Sequence, residues 1–248
     1  TETFDVAFSP AGAVSESGGT VTLNAANQTI ASLTFTGGTI TGAGNLTVSS
    51  TLAWSGGTMS GGGILTIGAA ATATLNGGTL GFNRNITNAG TTNWTTGNLA
   101  GFGGSAMTFT NNGTFNANCT NGGFFSANAT NNTFVNAGTF NQLGSTTANF
   151  NGCIFNSTGA VNVNGGALTL SVGGTMSGAM TVASGATLTH NGAGSTAACI
   201  AFVSMLWQLL AMTTPPPAQW WLETYVAVAR ELEGETRYRP RSEQVVAY

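Results

Sequence analysis

Ser17-Gly18-Gly19-Thr20-Val21-Thr22 recurs as Thr36-Gly37-Gly38-Thr39-Ile40-Thr41 and again as Ser55-Gly56-Gly57-Thr58-Met59-Ser60, each copy 19 residues after the last. Asn76-Gly77-Gly78-Thr79-Leu80-Gly81 follows after 21 residues, and a worn copy, Thr96-Gly97-Asn98-Leu99-Ala100, after a further 20. The phrase returns late in the chain as Gly173-Gly174-Thr175-Met176-Ser177. A fixed period near 20, with turn residues in one phase and an apolar residue just after them, marks a solenoid.

Laying the copies over one another fixes two strand positions. Phe35, Trp54, Leu75 and Trp94 precede the turn, and Val21, Ile40, Met59, Leu80 and Leu99 follow it. Leu46-Thr47-Val48 and Leu65-Thr66-Ile67 repeat a third strand with the period-2 alternation of a half-buried one. None of these strands could bury its apolar row alone. Stacked at about 4.8 Å per turn, the rows join into one core, with Ile40, Met59 and Leu80 expected one over another. Between 101 and 164 the phase loosens into aromatic–Asn pairs such as Phe115-Asn116, Phe134-Val135-Asn136, Phe140-Asn141 and Phe155-Asn156. Here Phe is expected inward and Asn outward or at a turn, with amide ladders between like positions.

The reading is therefore an all-β, single-stranded β-solenoid of the right-handed parallel β-helix kind, with about 20 residues per turn and a short helical C-terminal segment. Residues 1–16 are expected to be an N-terminal lead-in or cap, 17–196 the repeats, on the order of nine turns, and 197–248 a non-repeat tail. In that tail Gly, Asn and Thr thin out. Residues 197–212 form an apolar run, Pro215-Pro216-Pro217 stops it, and Trp221, Tyr225, Val228 and Leu232 have helical spacing. Three readings stand for the tail, in this order: a helical cap on the last turn, a non-native frameshifted end, or a membrane-associated segment. The run falls short of the roughly 20 residues a spanning helix needs.

Only 5% of residues are charged, against about 25% in an ordinary domain. Before residue 198 the charged side chains are Glu2, Asp5, Glu16 and Arg84, with His190 the one further titratable group. A net charge of −3 gives no basic footprint for nucleic acid and no cluster for anionic lipid. Regularly spaced apolar residues set the chain apart from disordered Gly/Ser-rich sequences. Cys119, Cys153 and Cys199 lack metal-ligand spacing and read as small buried residues; a Cys119–Cys153 bridge would require stacking on neighbouring turns. A start at Thr1 rather than Met suggests a processed product or a fragment.

With Leu52-Ala53-Trp54-Ser55-Gly56-Gly57-Thr58-Met59-Ser60-Gly61, Asn88-Ala89-Gly90-Thr91-Thr92-Asn93-Trp94-Thr95 and Val182-Ala183-Ser184-Gly185-Ala186-Thr187-Leu188 in view, the chain resembles bacterial extracellular β-helical repeat proteins. These are the stalk and passenger regions of autotransporter-like and filamentous-haemagglutinin-like adhesins. The resemblance covers roughly 17–190. It implies a secreted or cell-surface setting and a rod or scaffold role, and carries over no functional residue.

Enzymatic chemistry finds little to work with. Glycoside hydrolysis ordinarily needs two facing carboxylates, and the acids of the body sit at its N-terminal end. His190 has no carboxylate nearby in sequence to orient it, and Arg84 in Asn83-Arg84-Asn85 is expected at an outward turn position. No cofactor or metal site is expected, since a calcium-binding solenoid would repeat an Asp. The expectation is a structural protein without catalysis, with surface glycans or proteins as partners and self-association through the solenoid ends. The alternative is a recognition face. Thr20, Thr22, Thr39, Thr41, Thr58 and Ser60 would stand outward in two hydroxyl columns, similar to the arrays of β-solenoid ice-binding proteins; Thr is also a common strand residue on propensity alone. Asn-x-Ser/Thr triplets are numerous in so Asn- and Thr-rich a chain, and no glycan is assigned to them.

Overall fold

A computed structural model describes residues 1–6, 10, 12–101, 106–120, 123–127 and 132–190, together with Trp220 and Glu223. The chain divides into two compact units, Thr1–Gly192 and Ala193–Tyr248. In the second unit Trp220 and Glu223 are helical; the remaining tail readings lie outside the described residues, as does Cys199.

The first unit is an all-β solenoid of about nine turns, roughly 20 residues each. Each regular turn lays down three strands, and like strands of successive turns pair in parallel. Sheet 1 runs from Glu2–Phe4 through Thr20–Leu23, Thr39–Thr41 and Thr58–Ser60 to Gly123–Ala127, Thr147–Asn151, Ala167–Leu170 and Thr187–His190. Sheet 2 includes Leu65–Ile67, Ile86–Asn88, Thr108–Asn111, Asn132–Asn136 and Cys153–Ser157, and ends on a bridge from Ser157 to Met176. Sheet 3 starts at Ala13–Glu16 and includes Thr114–Ala117, Thr139–Gln142, Ala160–Val163 and Met180–Val182. The long strands Asn27–Phe35 and Asn45–Trp54 pass from sheet 2 into sheet 3, and Thr72–Asn83 and Thr91–Gly101 from sheet 3 into sheet 1. Residues 2–4 and 13–16 thus already form rungs of the solenoid.

Sheet 3 carries the pre-turn column: Phe35 pairs with Trp54, Trp54 with Leu75 and Leu75 with Trp94, all buried. The two indoles also show why Trp suits this place. Trp54 Nε1 donates to Gly56 O at 2.9 Å and Trp94 Nε1 to Gly97 O at 3.2 Å, so each ring fills the core while its N–H closes the glycine turn beside it. Gln142 occupies the same column two rungs below Trp94 and donates to Thr146 O at 3.0 Å. The turns themselves need glycine: Gly19, Gly38 and Gly57 stack with φ of 85°, 82° and 81°.

Sheet 1 departs from the expected register at one rung. Val21 lies over Ile40 and Ile40 over Met59, but Met59 pairs with Phe82, not with Leu80. Leu80 pairs instead with Leu99 in the next turn. The slip is two residues, and because side chains alternate with period 2 it leaves every apolar residue facing inward. Leu80 and Phe82 are accordingly both buried.

The middle turns fill the interior with aromatic rings from all three sides. Phe109, Phe134 and Phe155 stack along sheet 2, Phe115 and Phe140 along sheet 3, and Phe125 and Phe150 along sheet 1, at centroid separations of 5.1 to 5.5 Å. Between sheets the rings meet edge to face, as Phe109 meets Phe115 and Phe134 meets Phe140. Both geometries are the favoured ones for aromatic quadrupoles.

The asparagines take both expected places: Asn116 and Asn141 stand outward on sheet 3, while those at the corners turn inward. Asn88, Asn111 and Asn136 of sheet 2 are fully buried. Asn88 Nδ2 donates to Asn111 Oδ1 and Asn111 Nδ2 to Asn136 Oδ1, both at 2.7 Å, and Asn136 Nδ2 to Ser157 Oγ at 3.0 Å. The same three amides each donate to a sheet 3 carbonyl of the following turn at 3.0 Å, on Thr114, Thr139 and Ala160. Asn-x-Gly-Thr at 88–91, 111–114 and 136–139 is therefore a corner, its Asn turned in to tie two rungs together. Cys119 and Cys153 are separate buried thiols, one beyond the end of a sheet 3 strand and the other in sheet 2 opposite Asn132, so no bridge joins them.

Candidate functional site

Outward positions on the three sheets are the chemistry this unit offers to solvent. Thr20, Thr39 and Thr58 stack in register on sheet 1, beside Thr22 over Thr41, with Ser60 in the rung below. All six are half-buried. The column ends where Thr58 meets Gly81 and Ser60 meets Asn83.

Longer columns occur on the other two sheets. Thr29, Thr47, Thr66, Thr87 and Thr110 follow one another on sheet 2. Thr51, Thr72, Thr91, Thr114 and Thr139 do so on sheet 3. Beside the latter, Asn93, Asn116, Asn141 and Asn162 build an outer ladder in which each amide donates to the preceding Oδ1 at 2.9 Å, and Thr181 Oγ1 closes it at 2.8 Å. The outer ladder is the amide ladder expected of the aromatic–Asn pairs, while the Thr columns were missed because sequence reasoning followed the Gly-Gly-Thr phrase; the Thr after each Asn-x-Gly corner was the available signal. The arrangement presents uncharged donors and acceptors at a pitch of about 4.8 Å, with Thr further stiffened at χ1.

Arg84 overturns its expected outward position. It is fully buried, and its guanidinium runs along the solenoid through a corner lined by glycine. Nε donates to Gly63 O at 2.9 Å and Nη2 to Gly44 O at 2.7 Å, joining carbonyls of two earlier turns. A Cβ on Gly63 would fall 2.3 Å from Nη2, so the corner admits the side chain only because that residue is glycine. Nη1 is buried without a hydrogen-bond partner, and burial pulls the group down to about 10, which leaves it charged at neutral pH. The two charge-assisted bonds offset part of the cost of burying that charge, and the lowered pKa marks what they leave. Arg84→Met should lower stability by about 2–4 kcal/mol, because two corner carbonyls lose their donor. Urea denaturation checks this; a variant as stable as the parent would show that Arg84 ties nothing together.

His190 sits on the last described rung of sheet 1, opposite Leu170, and burial lowers its pKa. The thiols of Cys119 and Cys153 are pushed up to about 12 by burial, so they are poor nucleophiles. Asp5 Oδ1 accepts from Asn24 Nδ2 at 2.8 Å and Glu16 Oε1 from Gly18 N at 3.1 Å, both near the N-terminal end. Among the described residues no three His, Cys, Asp or Glu side chains converge as a metal site would require.

Fold and surface together define a three-sided parallel β-solenoid with a periodic exterior that, among the described residues, carries its charged side chains at the N-terminal end. Compared with known families, curated proteins and solved structures, the chain matches none.

Proposed function

We propose that this chain is a structural repeat protein, the rod or stalk of a secreted or bacterial cell-surface scaffold of the adhesin kind, acting without catalysis. The observation that carries it is the outer surface. Turn after turn presents the same hydroxyls and amides, while the chemical individuality of the unit (Arg84, the inner asparagines) is spent inside on joining one turn to the next. Such a build supplies length and a repetitive surface, which suits reach and presentation. Surface glycans or proteins are the partners this setting offers. Immunogold labelling of intact source cells with serum raised against the full chain tests the reading. Label on the outer surface or in shed material is expected, and label confined to the interior of sectioned cells would defeat it.

The Thr columns of sheets 2 and 3 favour a second reading, a water-ordering or glycan-recognising face, since their length exceeds that of the sheet 1 column. Thermal hysteresis of the purified protein is its direct test.

A further inference from the structure

We infer that the outer face of sheet 3 is a side-to-side docking surface for a second copy of this chain. Sheet 3 pairs in parallel through nine rungs from Ala13–Glu16 to Met180–Val182. Its outward side chains between 91 and 162 form two straight columns, Thr91, Thr114 and Thr139 beside Asn93, Asn116, Asn141 and Asn162.

The amides of the outer ladder are held but not exhausted. Asn116 gives one N–H to Asn93 and accepts from Asn141, which leaves a second N–H and a lone pair for a partner. No charged side chain stands in either column, so two such faces meet without repulsion and without charge to desolvate.

The choice of a second copy follows from the pitch. A ligand lying along the columns must repeat at the strand spacing of about 4.8 Å, or it drifts out of phase within a few rungs. Another turn of this solenoid has that spacing by construction and stays in phase along the whole face. With the two-fold axis parallel to the rods, each Thr column lies over the partner's Asn column, so hydroxyls meet amides.

Area sets the strength. Eight rung spacings by a four-residue strand make a face of about 38 by 13 Å, or about 500 Å² per copy. A standard interface takes about 800 Å² per partner, so one pair of faces associates weakly, and rods held side by side associate through many. This inference rests on the face alone and not on where the protein resides.

Sedimentation velocity of the full chain, from about 10 μM to about 1 mM, tests it within the range where weak interfaces populate. Association rising with concentration is expected. Thr91→Glu with Thr139→Glu should weaken it at least tenfold, while Thr47→Glu with Thr87→Glu on sheet 2 should leave it unchanged. Should the glutamate pair misfold by circular dichroism, Thr139→Lys alone takes its place with the same expectation. A parent that stays monomeric throughout overturns the inference, as does equal association, or equal loss of it, in the sheet 2 and sheet 3 variants.

Discussion

Phe134→Ala lowers the stability of the solenoid by about 4–5 kcal/mol, the upper end for a buried phenylalanine. Its ring lies between Phe109 and Phe155 in a stack at 5.2 and 5.1 Å and meets Phe115, Phe125, Phe140 and Phe150 from the other sheets. Removing it opens a cavity walled by rings that are themselves pinned in ladders of hydrogen-bonded strands, so little can collapse inward. A solenoid is also close to one-dimensional: each turn touches only its neighbours, and coupling between the two halves passes through the middle rungs. The variant should therefore unfold in two steps, with turns on either side of Phe134 melting apart, where the parent melts in one. Leu188→Ala, on the last described rung and half-buried, should cost about 1 kcal/mol and leave the transition single. Urea titrations followed by circular dichroism and tryptophan fluorescence decide it. Similar losses at both sites, with coincident probes, would mean that the aromatic core does not couple the halves.

The first three copies of the Gly-Gly-Thr phrase carried enough information to stack Val21, Ile40 and Met59, because equal spacing and an inward apolar residue leave one economical register. Phe35, Trp54, Leu75 and Trp94 were legible for the same reason. The error at Leu80 has a clear origin. An alternation of period 2 is blind to a slip of two, so Leu80 and Phe82 satisfy the interior equally and the glycine phrase pointed to the nearer one. Turn length also varies: the inner asparagines of successive turns stand 23 and then 25 residues apart, which dissolves a fixed period just where the phenylalanines take over.

Arg84 was misplaced, and the burial of the corner asparagines went unread, for a different reason. A polar side chain is normally assigned outward because burial without partners is costly. In a solenoid, however, each turn supplies carbonyls and amides to the next at fixed intervals, so an inward Asn finds its partner in a copy of itself 23 to 25 residues away. Arg84 finds carbonyls on Gly63 and Gly44, 21 and 40 residues earlier. No local window contains those partners. The hydroxyl columns needed the register as well, since only pairing shows that Thr91, Thr114 and Thr139 stand above one another.

Gly138→Ala should be a costly single-methyl substitution, lowering stability by roughly 3 kcal/mol or more. Gly138 stacks between Gly113 and Gly159 at the Asn-x-Gly corner, and a Cβ there would lie 2.1 Å from Gly113 O and 2.7 Å from Asn112 C. Both obstacles are backbone, and that backbone belongs to the rung above, so relief requires prising two turns apart. Doing so stretches Asn111 Nδ2→Asn136 Oδ1 and Asn111 Nδ2→Thr139 O, the bonds that tie the corner from inside. Gly165→Ala is the control, because the nearest atom to its Cβ is Gly144 O at 3.5 Å, an ordinary contact. There the gain from a stiffer unfolded chain should show, leaving stability level or higher by up to about 1 kcal/mol. Thermal melts of the two variants beside the parent separate the cases. If Gly138→Ala melts with Gly165→Ala, the corner glycines serve no close approach, and the stacking of one turn upon the next must be looser than the hydrogen-bonded rungs describe.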